Sequence, residues 1–404
     1  MSRTLLPSRA AKGLRVRFSI ARLRAAALAA VLLAPHAAAA APCGPSPVTF
    51  TSRTIASDYT YAYGIAVGDL DRDGDPDVTS ADTTSDVLYW YANDGAGSFA
   101  RHVVKQNDAG WFERHVLVDM DGDGWLDVVV VKLAVNTIVW FENDGTPEDG
   151  GWIEHEIAPG TMPYAYDVDS ADLDGDGDID VAASSYAGNE LAWFENTGDP
   201  TGAWVKHPIA RGEITLTVRI ADFDGDGLPD ILSSALDTGL YWYENTGAPA
   251  SSGFVEHVMM RRGRPSHGEP VDLDGDGDLD VVMARGGAVS KRGDVSWFEN
   301  RGKPRFVGHR IQQRLPQAFE AVSGDVDGDG DVDVALSVWG YPGGLMWFEN
   351  RGRGRRWCKR VILDVWQNGN SVLLRDLDAD GRLDLISTAE RGTNELRWWR
   401  NDAP

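Results

Sequence analysis

A nine-residue acidic pattern that returns about every fifty residues constrains this chain more than any other feature. D-x-D-x-D-G-x-x-D begins at Asp69, Asp119, Asp172, Asp222, Asp272, Asp325 and Asp376, in steps of 50, 53, 50, 50, 53 and 51 residues. Two further signatures keep pace with it. Trp-aromatic-x-Asn begins at Trp90, Trp140, Trp193, Trp242, Trp297, Trp347 and Trp398. The other is an aromatic, then His or Arg three residues on, then an aliphatic or Met two later; it runs from Phe50/Arg53/Ile55 through Phe99/His102/Val104 to Trp357/Arg360/Ile362. Each signature occurs seven times. A fixed period of this length marks an array of small units, none of which can bury its apolar face alone.

Between the signatures lie short runs such as Asp127-Val-Val-Val-Val131 and Asp333-Val-Ala-Leu336, bounded by turn-rich stretches such as Asp144-Gly145-Thr146-Pro147. These predict four strands per repeat: A entering the Asp loop, B leaving it, C carrying the Trp-aromatic pair and D carrying the aromatic/His element. Four-stranded units repeated radially make a propeller. The expected fold is all-β, a seven-bladed β-propeller of four-stranded antiparallel blades. The chain opens on a D element, residues 48–55, and ends on a C element, residues 395–400. The N-terminal strand can therefore complete the last blade and close the ring, pairing edges that would otherwise be open. One domain, residues 42–404, replaces the two or three that 404 residues alone would suggest.

Each Asp loop places carboxylates at positions 1, 3, 5 and 9. They are Asp69, Asp71, Asp73 and Asp77; Asp119, Asp121, Asp123 and Asp127; Asp172, Asp174, Asp176 and Asp180; Asp222, Asp224, Asp226 and Asp230. The later loops supply Asp272, Asp274, Asp276 and Asp280; Asp325, Asp327, Asp329 and Asp333; Asp376, Asp378, Asp380 and Asp384. So many hard oxygen donors suit Ca²⁺ better than Mg²⁺, which keeps more of its water, and Gly at position 6 permits the sharp turn. Position 12 never carries Glu, and a strand follows the loop rather than a helix, so these are not EF-hands. Up to seven structural calcium ions are expected. Repetition at equivalent positions argues against a catalytic role for them.

The repeat Asp172-Leu-Asp174-Gly-Asp176-Gly-Asp178-Ile-Asp180, with its flanking strands, resembles the FG-GAP/VCBS repeat of integrin α-subunit propellers and of many exported bacterial proteins. The resemblance covers roughly residues 48–401. It implies a calcium-bearing propeller and extracellular recognition through the face opposite the calcium loops. Similar propellers occur in lectins and in some polysaccharide lyases. The chain has none of the further domains of an integrin, so integrin-type signalling is not implied.

Charge and the N-terminus fit that setting. The net charge is −24, and residues 1–41 hold seven bases and no acid, so the remainder carries 31 bases against 62 acids. Such a field repels phosphate backbones and anionic lipid, which excludes general nucleic-acid binding. No apolar run approaches the ~18 residues needed to span a bilayer, so membrane insertion is not expected. A basic stretch, the apolar run 25–34 and the small-residue tract 37–41 read as a signal peptide over residues 1–41. The mature chain is expected to be secreted or periplasmic, and monomeric. Adjacent blades would let Cys43 and Cys358 form one disulfide; two free thiols are the alternative.

Residues common to every repeat are structural, so function is sought in the remainder. The D-to-A connections offer Tyr61, Tyr63, Trp111, Arg114, His115, Tyr164, Tyr166, Arg219, His267 and Trp366, and the B-to-C loops offer Trp339 and Tyr341. These loops lie on the face away from the Asp loops, where aromatic rings beside cations could stack on a sugar or anchor a protein. The leading expectation is a recognition or adhesion module for a glycan or extracellular protein. The alternative is a polysaccharide lyase, with Arg114 or Arg219 neutralising a uronate and His115, His267 or a Tyr removing the adjacent proton. A third reading is a structural spacer or assembly part. No G-x-S-x-G, H-E-x-x-H or phosphate-binding glycine loop supports another enzyme class.

Overall fold

The computed structural model describes residues 43–286, 291–302 and 305–403, and Cys43–Pro404 forms one compact unit. The expected signal peptide lies outside the described residues. The described chain is all-β and built of repeated four-stranded antiparallel sheets consistent with a propeller. In chain order the first sheet takes Ala62–Gly68, Asp77–Asp82, Val87–Asn93 and Phe99–Gln106. The next three follow the same plan from inner strands Phe112–Val118, Ala165–Ala171 and Thr215–Ala221. The fifth and sixth, from Pro265–Val271 and Ala318–Gly324, are joined into one eight-stranded sheet by a single parallel bridge between His267 and Glu320.

The last sheet draws on both ends of the chain. Phe50–Ala56 pairs antiparallel with Glu395–Asn401, which pairs with Asp384–Ala389 and then Gly369–Arg375. Cys43 is disulfide-bonded to Cys358 with Cα atoms 5.7 Å apart. Cys358 stands on the outer strand Trp357–Leu363 of the sixth sheet, so the bond ties the segment leading into the seventh sheet to its neighbour.

Second and third strands such as Asp127–Lys132 and Thr137–Glu142 are buried nearly throughout, as runs rich in β-branched and aromatic residues should be when covered on both faces. Their side chains form separate clusters between adjacent sheets; one joins Val129, Val131, Ile138 and Trp140 of the second sheet to Val168, Val181, Ala183 and Phe194 of the third.

The Trp-aromatic-x-Asn signature is accounted for position by position. In five sheets the Trp ring stacks on the His of the outer strand, with centroids 4.6 Å apart for Trp90/His102 and 4.3 Å for Trp242/His257. The third residue is Glu in the second to sixth sheets; Glu142, Glu195, Glu244 and Glu299 accept from that His, and Glu349 from Arg360. The Asn side chain donates across to the neighbouring sheet: Asn143 to the Leu70 carbonyl at 2.9 Å, Asn245 to Leu173 at 2.7 Å and Asn93 to Leu377 at 2.7 Å.

Candidate functional site

The Asp loops are held open by their own backbone. In every loop the Gly at position 6 has positive φ, from 86° to 100°, and its N–H donates to the carboxylate at position 1, as Gly124 does to Asp119 at 2.9 Å. Only glycine takes that backbone without strain. The Asp at position 9 is buried and accepts two N–H bonds. Asp127, for example, takes Met120 and Asn143, both at 2.8 Å, which clamps the loop to the turn after strand C.

At position 1 of the first two loops the backbone holds one oxygen, Oδ2 of Asp69 and Asp119, and leaves the other for a ligand. Single carboxylate oxygens of Asp69, Asp71 and Asp77 lie within 4.8 Å of one another, and the same holds for Asp119/Asp121/Asp127 and Asp172/Asp174/Asp180. Oδ1 of Asp69, Asp119, Asp274 and Asp378 and Oδ2 of Asp380 are buried without a hydrogen-bond donor. Burial pushes the carboxyls of Asp77, Asp127, Asp180 and Asp280 up to about 7 and that of Asp333 to about 8, against the backbone donors that favour the charged form. A hard divalent cation would relieve both conditions, and an all-oxygen donor set with one oxygen from each of several carboxylates fits calcium.

At the opposite end the expected loop residues divide into two groups. Trp111, Tyr164 and Tyr341 are exposed, at 44%, 49% and 80%, in connections between strands as expected. Trp111 and Tyr164 hold positive φ, 55° and 52°, a conformation that non-glycine residues keep only when their surroundings impose it. Tyr61 and Trp339 are half-buried beside them: Arg391 stacks 5.1 Å over the Tyr61 ring, and Trp339 Nε1 donates to Glu390 at 2.5 Å. Tyr186, which the repeat also leaves over, is 42% exposed.

The second group is corrected by the structure. Tyr63, Arg114, His115, Tyr166, Arg219 and His267 stand on the inner strands, not on loops. Trp366 is buried against Trp399, with ring centroids 5.3 Å apart, and so offers no exposed surface. The inner strands begin earlier than the acidic motif suggests because they line a cavity of ≈ 480 Å³ to which every sheet contributes. Their first residues are buried and those next to the Asp loop half-buried, so the cavity opens toward the Asp-loop end.

Its closed end is a polar plug. Arg114 makes a two-pronged ion pair with Glu320, at 2.7 and 3.2 Å, joining walls from the second and sixth sheets. Arg219 pairs with Asp167 at 3.0 Å, and the Tyr63 and Tyr166 hydroxyls meet at 2.7 Å. His115 Nε2 lies 2.8 Å from the Thr79 hydroxyl and His267 Nδ1 2.8 Å from that of Thr217. Burial pushes the His115 imidazole down to about 4 and holds His267 well below its ordinary value, so both are neutral. Burial and the nearby Glu390 push the Glu113 carboxyl up to about 8. Sequence reading missed Glu320, Asp167 and Glu113. No motif marks them, and Glu320 finds its partner 206 residues away.

No helix among the described residues is long and apolar enough to cross a membrane. The chain matches the FG-GAP-like repeat in six overlapping stretches, residues 69–130, 119–183, 172–233, 222–283, 272–336 and 325–387. No curated protein matches it significantly. Among solved structures, BBS1N, in its complex with ARL6DN, is similar at a TM-score of 0.58 and 11% identity, over 89% of this chain and 98% of that one. That likeness is one of fold alone. A protein provisionally assigned as a gluconolactonase is 13% identical with a TM-score of 0.45, over 89% of this chain and 93% of that one, too loose a likeness to argue from.

Proposed function

This chain belongs to the FG-GAP-like repeat family, and we propose that it is an exported, calcium-stabilised seven-bladed propeller that recognises a glycan or an extracellular protein. Recognition is through the face opposite the Asp loops. Ring closure is supported by the pairing of Phe50–Ala56 with Glu395–Asn401 and by the packing of Ala62–Gly68 on Gly369–Arg375. Export is supported by the Cys43–Cys358 disulfide, since such bonds persist in oxidising compartments.

The observation that carries the recognition reading is the placement of exposed aromatics. Among the described residues, the exposed aromatic side chains are Trp111, Tyr164, Tyr186 and Tyr341, and all stand in connections on that one face. Large rigid rings left in water, where the other described aromatics are buried or half-buried, are the usual anchors of a binding surface. The lyase alternative draws less support. Arg114 and Arg219 already face carboxylates, and His115 and His267 are buried in the plug.

The test is retention of the calcium-loaded protein on a panel of acidic and neutral polysaccharides and on extracellular-matrix proteins, with absorbance of unsaturated uronate recorded alongside. Retention that falls at least tenfold in a Trp111→Ala/Tyr341→Ala variant is expected. Unsaturated product that disappears in His115→Ala would replace this reading with the lyase.

A further inference from the structure

The seventh Asp loop departs from the others in its surroundings. In the second to sixth sheets the residue between the C-strand aromatic pair and the Asn is Glu142, Glu195, Glu244, Glu299 or Glu349; in the seventh it is Arg400. Position 7 of the loop, Asp, Trp or Leu elsewhere, is Arg382. Both exchanges put a cation where the other sheets have an acid or a neutral side chain.

The guanidinium groups turn into the loop. Arg400 Nε lies 3.0 Å from Asp378 Oδ2, and Arg400 Nη2 3.9 Å from Asp380 Oδ2. Arg382 Nη2 lies 3.1 Å from the same Asp380 oxygen. Arg400 Nε has ion-pair distance without hydrogen-bond alignment, so the contact is Coulombic in character. Asp378 and Asp380 are positions 3 and 5, the carboxylates that elsewhere would face an ion. In the second, third, fifth and sixth sheets the residue at the place of Arg400 adds negative charge: Glu142, Glu195, Glu299 and Glu349 repel Asp121, Asp174, Asp274 and Asp327, while Arg301 and Arg351 act on the fifth and sixth loops from outside that position.

The loop keeps its shape all the same. Gly381 N–H donates to Asp376 at 2.8 Å, and Asp384 accepts from Leu377 at 3.1 Å and Asn401 at 2.7 Å. Two guanidinium groups on two carboxylates neutralise the charge a divalent ion would otherwise neutralise.

We propose that Arg400 and Arg382 close the seventh loop in place of calcium, leaving six metal sites and one filled by the chain itself. The proposal rests on the calcium reading of the other loops. It also gives the difference a use. The seventh sheet is assembled from both chain ends, and a seam neutralised by its own side chains, beside the Cys43–Cys358 bond, stays closed when calcium falls.

The protein is equilibrated with calcium, freed of excess by dialysis, and its bound metal counted by plasma emission. Six ions per chain are expected in the native protein and seven in Arg400→Glu/Arg382→Asp, which restores the residue types of the third sheet, Glu195 and Asp178. Seven ions in the native protein, or no gain in a folded double variant, would overturn the proposal. No calcium in either would instead overturn the calcium reading itself. Should the double variant fail to fold, hydrogen exchange of the native protein in chelator decides. Amides of residues 376–384 should keep their protection while those of 172–180 and 222–230 lose it at least tenfold, and equal loss in all three refutes the substitution.

Discussion

At the Asp-loop end the same carboxylates return in every sheet and are held by the same backbone amides, whereas at the opposite end no two inner strands carry the same residues. Both ends concentrate charge. The Asp loops leave theirs at the surface, where an ion from solvent can neutralise it; the plug has no access to such an ion and must match each charge with another from the chain. Arg114 with Glu320 and Arg219 with Asp167 are the result. Repetition is thus possible where the partner comes from outside. Where the partner is another sheet, each sheet has to differ.

That comparison breaks most visibly if the outside partner is withdrawn. A bound ligand at a hundred times its dissociation constant adds about 2.7 kcal/mol per site, so several such sites together rival the ~5–15 kcal/mol net stability of a typical domain. Excess chelator should lower the melting temperature by roughly 20 °C or more, or abolish cooperative melting, in scanning calorimetry. A midpoint that moves by less than about 2 °C would mean that the Asp loops are satisfied without metal and that the two ends do not differ as argued.

The internal partner can be withdrawn too. Glu320→Ala leaves Arg114 buried and unpaired, a defect that typically costs about 3–5 kcal/mol. Glu320 also accepts from the Val372 N–H, so the loss should fall at the upper end of that range. The double variant Arg114→Met/Glu320→Leu should recover the part due to the unpaired charge, because two apolar groups of similar volume need no partner, while the Val372 N–H stays without its acceptor. Urea denaturation of the three variants checks this; a double variant as unstable as the single would show that shape, not charge pairing, holds the plug.

The same contrast explains what could be read from the sequence. The strand plan, the Asp loops and the outer-strand His were legible because they recur: five of the eight His occupy one place in the repeat, where each stacks on a C-strand Trp. The Glu and Asn of the C strand recur as plainly, but their use became clear only when His155 was seen to meet Glu142, and Asn143 to reach Leu70 in another sheet. The plug left no trace. Inner strands such as Ala-Tyr-Gly-Ile-Ala-Val-Gly at 62–68 and Phe-Glu-Arg-His-Val-Leu-Val at 112–118 share no pattern. Their complementarity runs across the cavity between residues far apart in the chain. Counting from the acidic motif therefore assigned Arg114, His115 and His267 to loops.

Acid should also reach the plug, through its buried imidazoles. His115, with an ordinary value of 6.5 and a folded value of about 4, binds its proton less readily when folded. Its contribution to stability is therefore complete above pH ~6.5 and lost as pH falls toward 4. At 1.36 kcal/mol per unit, the loss amounts to roughly 3 kcal/mol by pH 4, with His267 acting in the same direction. His115→Gln, which can still bond the Thr79 hydroxyl but takes up no proton, should flatten that part of the stability profile. An unchanged slope from pH 6.5 to 4 in urea melts would mean that the imidazole is not the group that senses acid.

The smallest effect on stability is expected where the comparison is sharpest. Trp111 and Tyr341 belong to the non-repeating end but not to its plug, and their rings face water. Substitutions at such positions usually shift stability by no more than about 0.5 kcal/mol. Trp111 adds one qualification: its left-handed backbone, φ 55°, is retained by an N–H donated to Asp86 at 2.9 Å, and alanine is no better suited to that conformation than tryptophan. Trp111→Ala and Tyr341→Ala should therefore melt within about 2 °C of the native protein, while Trp111→Gly, which relieves the backbone, should melt no lower. A loss of several degrees in Tyr341→Ala would place that ring in the packing of the loop and remove it from the proposed binding surface.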